Sequence, residues 1–239
     1  FFYVYGLDRH SHLGLFNRIA YDLEGRLLDY LNPDYHSETQ TLRIDLTFEV
    51  SSIPERYKQN ILRSLFARLK VPVNENEPLL EKNLAFLLQT SPLFQDLGPE
   101  DFVATFLSIS QWDWDSRITP TVTRWFIEKF CSVQLPESAP TFLFFFGIIF
   151  EEEDEELQDE VRQVVTNSEL IQPLPELDMV LTKDIARWFA KYTVVAPDSE
   201  KRKELRKKYF GDGSEFYMEE VEKRLRQIIA QHNARSLGT

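Results

Sequence analysis

Four times before residue 166, a short apolar segment is followed by a stretch with apolar residues at helical spacing. Phe1–Tyr5 ends at Gly6, and Leu13, Phe16, Ile19, Ala20, Leu23, Leu27 and Leu31 then form one stripe. Asn32-Pro33-Asp34 closes that helix. Leu42–Val50 alternates apolar and polar residues and predicts a strand with one buried face. Ser51-Ser52-Ile53-Pro54-Glu55 opens a helix to about Leu69. Pro72–Pro78 reads as a linker, and Pro78–Leu88 as a further helix. Phe102–Ile109 and Thr141–Phe150 are almost wholly apolar and predict strands buried on both faces. A helix from Thr119-Pro120 lies between them, and another follows at about Leu157–Val165. Parallel strands need long crossovers, normally helical, and these crossovers are right-handed. The pattern therefore predicts an α/β fold: a three-layer sandwich around a mostly parallel sheet, with helices on both faces.

Beyond Pro173–Pro175 only helices are expected: Thr182–Tyr192, Asp198–Tyr209 and Ser214–His232, the last two separated by Gly211-Asp212-Gly213. The expected organisation is an α/β core over residues 1–170 and a helical C-terminal part over 171–239. The 239 residues suffice for a sizeable core. Phe1–Tyr5 and Phe142–Phe150 are too short to span a bilayer, so no membrane segment is expected. One cysteine rules out a disulfide framework and a Cys-rich zinc site, and fits a cytoplasmic location. The net charge of −12 argues against a general nucleic-acid binder. A start at Phe1 rather than Met reads as a piece or processed form of a longer protein.

In an open α/β sheet, ligands bind beyond the carboxyl ends of the strands. The first strand-to-helix crossing is where a phosphate-binding loop, G-x-x-x-x-G-K-[ST], would stand. The sequence there is Gly6-Leu7-Asp8-Arg9-His10-Ser11-His12-Leu13. Gly6 holds the place of the first glycine, Ser11 that of the second, His12 that of the lysine and Leu13 that of the hydroxyl. Ser11 restricts the path by which backbone N–H groups wrap a phosphate. His12 is shorter than lysine and largely neutral at pH 7. Leu13 cannot coordinate Mg²⁺. Asp8 adds negative charge where a triphosphate would lie, partly offset by Arg9. The expectation is a degenerate phosphate loop with no cofactor and no metal, plugged by Asp8, Arg9 or His12.

This opening resembles the inactive STAND domains, degenerate relatives of the STAND-class P-loop NTPases. The resemblance continues through Trp112-Asp113-Trp114-Asp115, Trp125-Phe126-Ile127-Glu128-Lys129-Phe130-Cys131, the strand Phe142–Phe150, Leu174-Pro175-Glu176-Leu177 and Asp184-Ile185-Ala186-Arg187-Trp188-Phe189. It covers about residues 1–192. It implies a sandwich of the P-loop NTPase type. It also implies a non-enzymatic sensor, scaffold or oligomerisation module in a larger bacterial defence protein. Its partners would be proteins: an effector or adaptor domain in the same polypeptide or system, or further copies of itself. The missing lysine means that the ATP-driven switching of active STAND proteins does not carry over.

Other chemistry-bearing residues read as structural. Asp113 and Asp115 read as loop aspartates capping the next helix rather than Mg²⁺ ligands, because Ser110 and Gln111 separate them from the strand. His10 and His12 have no third or fourth zinc ligand nearby. Cys131 reads as a buried thiol, and no G-x-S-x-G elbow occurs. Two charged blocks remain as candidate interaction surfaces. One is the acidic run Glu151-Glu152-Glu153-Asp154-Glu155-Glu156; the other is the basic set Lys201, Arg202, Lys203, Arg206, Lys207 and Lys208. Two rival readings stay open: a divergent NTPase using His12 in place of the lysine, and a nucleic-acid-dependent sensor using residues 201–208.

Overall fold

The computed structural model describes residues 1–24, 38–74, 78–167, 169 and 171–236. Leu27, Leu31 and the Asn32-Pro33-Asp34 stop lie outside the described residues, as does the middle of the expected linker, 75–77. Five strands, β1 (Phe2–Leu7), β2 (Thr41–Leu46), β3 (Phe102–Ser110), β4 (Thr141–Phe150) and β5 (Gln172–Pro173), form one sheet in the order β2-β3-β4-β1-β5. Every pairing in it is parallel. The helices between them are α1 (His12–Leu23), α2 (Pro54–Arg68), α3 (Leu84–Thr90), α4 (Ile118–Phe126) and α5 (Glu155–Thr166).

The order explains the layers. From β1 the chain crosses to the far edge at β2 and then returns strand by strand; after β4 it skips over β1 to β5. With right-handed crossovers, the outward and returning connections must lie on opposite faces. The side chains obey this. Val4, Ala104, Phe106 and Phe145 point to the α1 face, where Phe16 covers them. Their sequence neighbours Tyr3, Val103, Phe144 and Phe146 point the other way, against Ile61, Leu62 and Phe66 of α2, Val122 and Phe126 of α4, and Val161 of α5. The α/β three-layer sandwich expected from the sequence is the observed fold.

Gln172–Pro173, expected to lie beyond the 1–170 core at a break, instead pairs with β1 and completes the sheet. Three other boundaries differ from the sequence reading, each for a hydrogen-bonding reason. The alternation Leu42–Val50 runs past the strand, which stops at Leu46. Beyond it the Thr47 carbonyl accepts from Ser64 Oγ and the Glu49 carbonyl from Asn60 Nδ2, so α2 side chains take the place of a ladder. The single helix expected over Pro78–Leu88 is instead a 3₁₀ turn, Leu79–Glu81, and then α3. Asn83 separates them by accepting the Phe86 N–H through its side chain at 3.0 Å. The helix expected from Ser214 begins later. Glu215–Phe216 forms a two-residue strand, β7, antiparallel to β6 (Val180–Leu181), and α8 runs over Met218–Ser236.

The C-terminal helices α6 (Thr182–Lys191), α7 (Ser199–Phe210) and α8 gather their own small core from Ile185, Phe189, Ala196, Phe210, Phe216, Val221 and Ile228. They meet the sheet where the first turn of α8 packs on α1 and the loop before it. Among the described residues, no helix is long and apolar enough to cross a membrane.

Candidate functional site

The first crossing is short and closed. Between β1 and α1 lie only Asp8, Arg9, His10 and Ser11, and the first three form a 3₁₀ turn. The Leu7 N–H donates to His10 Nδ1 at 3.2 Å, and the Ser11 N–H donates to the Asp8 carbonyl at 2.9 Å. A phosphate cradle needs such N–H groups free and convergent; here two are spent inside the turn. Ser11 reaches the helix through the left-handed region, at φ 60°. This conformation is uncommon for a residue with a side chain and is held here by the contacts around it.

Gly6 has φ +145°, a conformation that suits glycine. A Cβ at Gly6 would stand 2.9 Å from Leu177 Cβ and 3.2 Å from His10 Nδ1. Leu177 belongs to the strap that follows β5, whose N–H groups at Leu174 and Leu177 donate to the Tyr3 and Tyr5 carbonyls. The glycine thus admits the chain's own strap and histidine ring. Of the three expected plug residues, Asp8 and His12 line the cavity beside the crossing, whereas Arg9 turns away; it is His10 and Leu177 that close on Gly6. The Arg9 guanidinium lies 3.8 Å from the centroid of the Tyr217 ring.

Tyr217 introduces α8 and stacks on His10 as well, at a centroid distance of 5.8 Å. One turn later, Glu222 lies against the first turn of α1. A Cβ at Gly14 would collide with the Glu222 carboxylate and the Ser11 hydroxyl. A helix N-terminus carries partial positive charge and favours an anion. At α1 the neighbouring anion is a carboxylate of the same chain.

The cleft beyond the strand ends is acidic. Two adjoining cavities of about 390 Å³ each share Asp8, Ser108 and Ile149. Asp45 and Glu219 line one of them, Asp113 and Glu151 the other. Among the described residues, no lysine or arginine lines either cavity. His12 lines the first. It is 3% exposed, and neither ring nitrogen has a hydrogen-bond partner. Burial, with a smaller contribution from neighbouring His10, holds its pKa down at about 4, so the ring is neutral at pH 7. A site for triphosphate needs cations and free N–H groups; this cleft offers five carboxylates and a neutral imidazole. Leu13, in the position of the Mg²⁺-binding hydroxyl, is exposed.

The acidic block begins at the mouth of the second cavity. Glu151 accepts from Trp112 Nε1 and from Ser110 Oγ, each at 3.2 Å, and Gln111 Oε1 accepts the Glu151 and Glu152 N–H groups. Glu151, Glu152 and Glu153 are exposed, and Asp154 caps α5 by accepting the Leu157 N–H. Asp115 accepts the Arg117 and Ile118 N–H groups, which lowers its pKa. Asp113 caps nothing and faces the cleft instead. Burial pushes the Cys131 thiol up to about 12, so it is not a ready thiolate.

On α7, Lys203, Lys207 and Lys208 are exposed and Arg206 is half-buried. Lys201 pairs with Glu204 at 2.8 Å, and Arg202 donates to the Ala196 carbonyl. Sequence reasoning missed His10, Leu177, Tyr217, Glu219 and Glu222 as parts of this site. Four of them lie far along the chain from the loop, and only the sheet order and the docking of α8 bring them to it.

The crossing keeps a strand-turn-helix scaffold, holds two of its N–H groups inside the turn and turns Arg9 away from the cleft. No curated protein matches the chain. The family model of inactive STAND matches residues 1–148, which hold this crossing, β1 to β3 and most of β4, and the chain therefore belongs to the inactive STAND family.

Proposed function

We propose that this inactive STAND module is not an enzyme and works by binding, as a sensor, scaffold or oligomerisation part of a larger bacterial defence protein in the cytoplasm. One observation carries the reading. At the position of a phosphate loop, the chain has a closed 3₁₀ turn beside a carboxylate-lined cleft, with a neutral, buried His12 in the lysine position. A neutral imidazole gives no electrostatic hold on a triphosphate. The rival NTPase reading needs His12 to be a cation, and its burial opposes that.

The partners in this reading are proteins, an effector or adaptor domain of the same polypeptide or system, or a second copy of the chain. The exposed acids Glu152 and Glu153 and the exposed lysines of α7 are complementary surfaces for self-association. Sedimentation at low and high salt tests that part, because contacts between exposed charges are screened. The inactivity is tested by titrating ATP with Mg²⁺ into the chain and into His12→Ala while following thermal stability. The expected outcome is no stabilisation of either. Tight ATP binding, or turnover lost in His12→Ala, would overturn the proposal.

A further inference from the structure

A cavity of about 240 Å³ lies away from the strand ends, where α1, the end of α6 and α8 meet. Trp188, Tyr192 and Val195 line it, and so do Leu225 and Ile229, one turn apart on α8. Trp188, Val195, Leu225 and Ile229 are only half-buried, and Val194 beside them is 52% exposed. Apolar surface is therefore left here that the small core of the C-terminal helices does not cover. Junctions between packed units are a common place for small-molecule sites with apolar walls and a few polar groups.

The walls select a flat ring. The Trp188 and Tyr192 ring centroids are 4.8 Å apart, with their planes tilted by 46°. A further ring joins such a pair with favourable stacked or edge contacts, which a flexible acyl chain does not make. An apolar cavity of about 150 Å³ holds one benzene, so this larger one has room for two fused rings.

The charges select an anion. In a chain of net charge −12, this cavity is lined by two arginines, Arg18 from α1 and Arg226 from α8, and by one carboxylate, Glu222. The other polar lining residues, Asn17, His232 and Asn233, add no negative charge. Glu222 lies against Gly14 and Ser11 at the start of α1, where the helix end favours an anion. Arg226 Nη2 stands 3.8 Å from Glu222, beyond hydrogen-bond distance, and its side chain is 81% exposed. Arg18 is held by its own partner, Asp22, at 3.0 Å. Arg226 is thus the guanidinium free to take a ligand carboxylate, with Arg18 adding positive charge from the facing wall.

We infer that the cavity between α1, α6 and α8 binds a small aromatic carboxylate, its rings between Trp188 and Tyr192 on one side and Leu225 and Ile229 on the other, its carboxylate on Arg226. The inference goes beyond the proposed function and does not rest on it, because it concerns neither the first crossing nor the charged surfaces of self-association.

The test is calorimetric titration of naphthalene-2-carboxylate into the whole chain, into Arg226→Gln, into Ile229→Trp, which fills the cavity, and into Arg56→Gln, which removes the same charge from an exposed position on α2. Circular dichroism checks that each variant folds. If Ile229→Trp does not, Arg226→Gln decides alone, since its side chain is exposed. The expected result is a single site, weakened about fivefold in Arg226→Gln by loss of a charge-assisted hydrogen bond, lost in Ile229→Trp and unchanged in Arg56→Gln. Naphthalene-2-methanol, which lacks the charge, and decanoate, which lacks the rings, should each bind more weakly. The inference is overturned by no binding of the carboxylate, by unchanged binding in either cavity variant, by equal loss in Arg56→Gln, or by tighter binding of the alcohol or of decanoate. Sedimentation of the ligand-free chain provides one more check: self-association that disappears in Ile229→Trp would make a second copy the occupant and also overturn it.

Discussion

The sheet and the C-terminal helices are held together by very different cores. Between the sheet and α2 to α5, Phe66, Phe126, Phe130 and Phe150 are all but fully buried, and Phe126 and Phe130 stack at 4.7 Å. The C-terminal core consists of seven buried residues among those described, two of them no larger than valine. Large aromatic side chains contribute most per residue through area removed from water. The small core therefore depends more on what its helices dock against. That surface is the first strand-to-helix crossing: Tyr217 packs on Arg9 and His10, and Glu222 on Gly14. In this chain the first crossing serves as the mounting for a second group of helices.

The largest effects should come from the cores themselves. Phe150→Ala removes a side chain with no exposed surface and should cost about 3–5 kcal/mol, read from urea denaturation of the whole chain. Phe189→Ala, made in the small core, should instead release α6 to α8 first. Amide exchange would quicken there while β1, β3 and β4 stay protected. A single cooperative loss of protection in both variants would erase the distinction between the two regions.

The next effect sits at the junction. His12 is buried and neutral, with its pKa lowered from 6.5 to about 4, so in this window the folded chain binds fewer protons than the unfolded chain. The stability that depends on neutral His12 is therefore fully present above pH 6.5. It falls as the pH drops towards 4 and is gone below that. The loss should be on the order of 3 kcal/mol, measured as the difference in unfolding free energy between pH 7 and pH 4. His12→Leu should lose this slope relative to the parent chain; an unchanged slope would mean that other groups carry it.

The smallest of the three concerns Gly6. Gly6→Ala places a Cβ 2.9 Å from Leu177 and forces φ +145° on an alanine. The strain should cost about 1–3 kcal/mol, and the strap 174–177 should exchange its amides faster than the strands of the sheet. If the strap stays protected, its contact with Gly6 is not what holds it.

Much of this molecule was legible before any coordinates. The alternation of strand and helix patterns predicted the parallel sandwich, and Thr141–Phe150 was read to the residue because a run buried on both faces has no polar interruption. Boundaries failed where a side chain outcompeted the pattern: Asn60 and Ser64 end β2, and Asn83 divides a helix. The site was legible only by subtraction. The absent lysine, hydroxyl and second glycine are visible in eight residues, but the identity of what fills the space is not. Arg9, one of three expected plugs, faces outward onto Tyr217, while His10, read as a plain loop residue, makes the closing hydrogen bond.

The sequence alone determined the fold class, the loss of phosphate-gripping groups and the acidic balance, because periodicity, residue type and charge are local properties that survive without coordinates. Only the tertiary structure decided that Leu177 closes on Gly6, that Glu222 lies at the start of α1, and that five carboxylates from five segments share one cleft. The physical reason is that such contacts join residues up to some two hundred positions apart. Their meeting depends on strand order and on how α8 packs, and neither leaves a pattern at any fixed spacing along the chain.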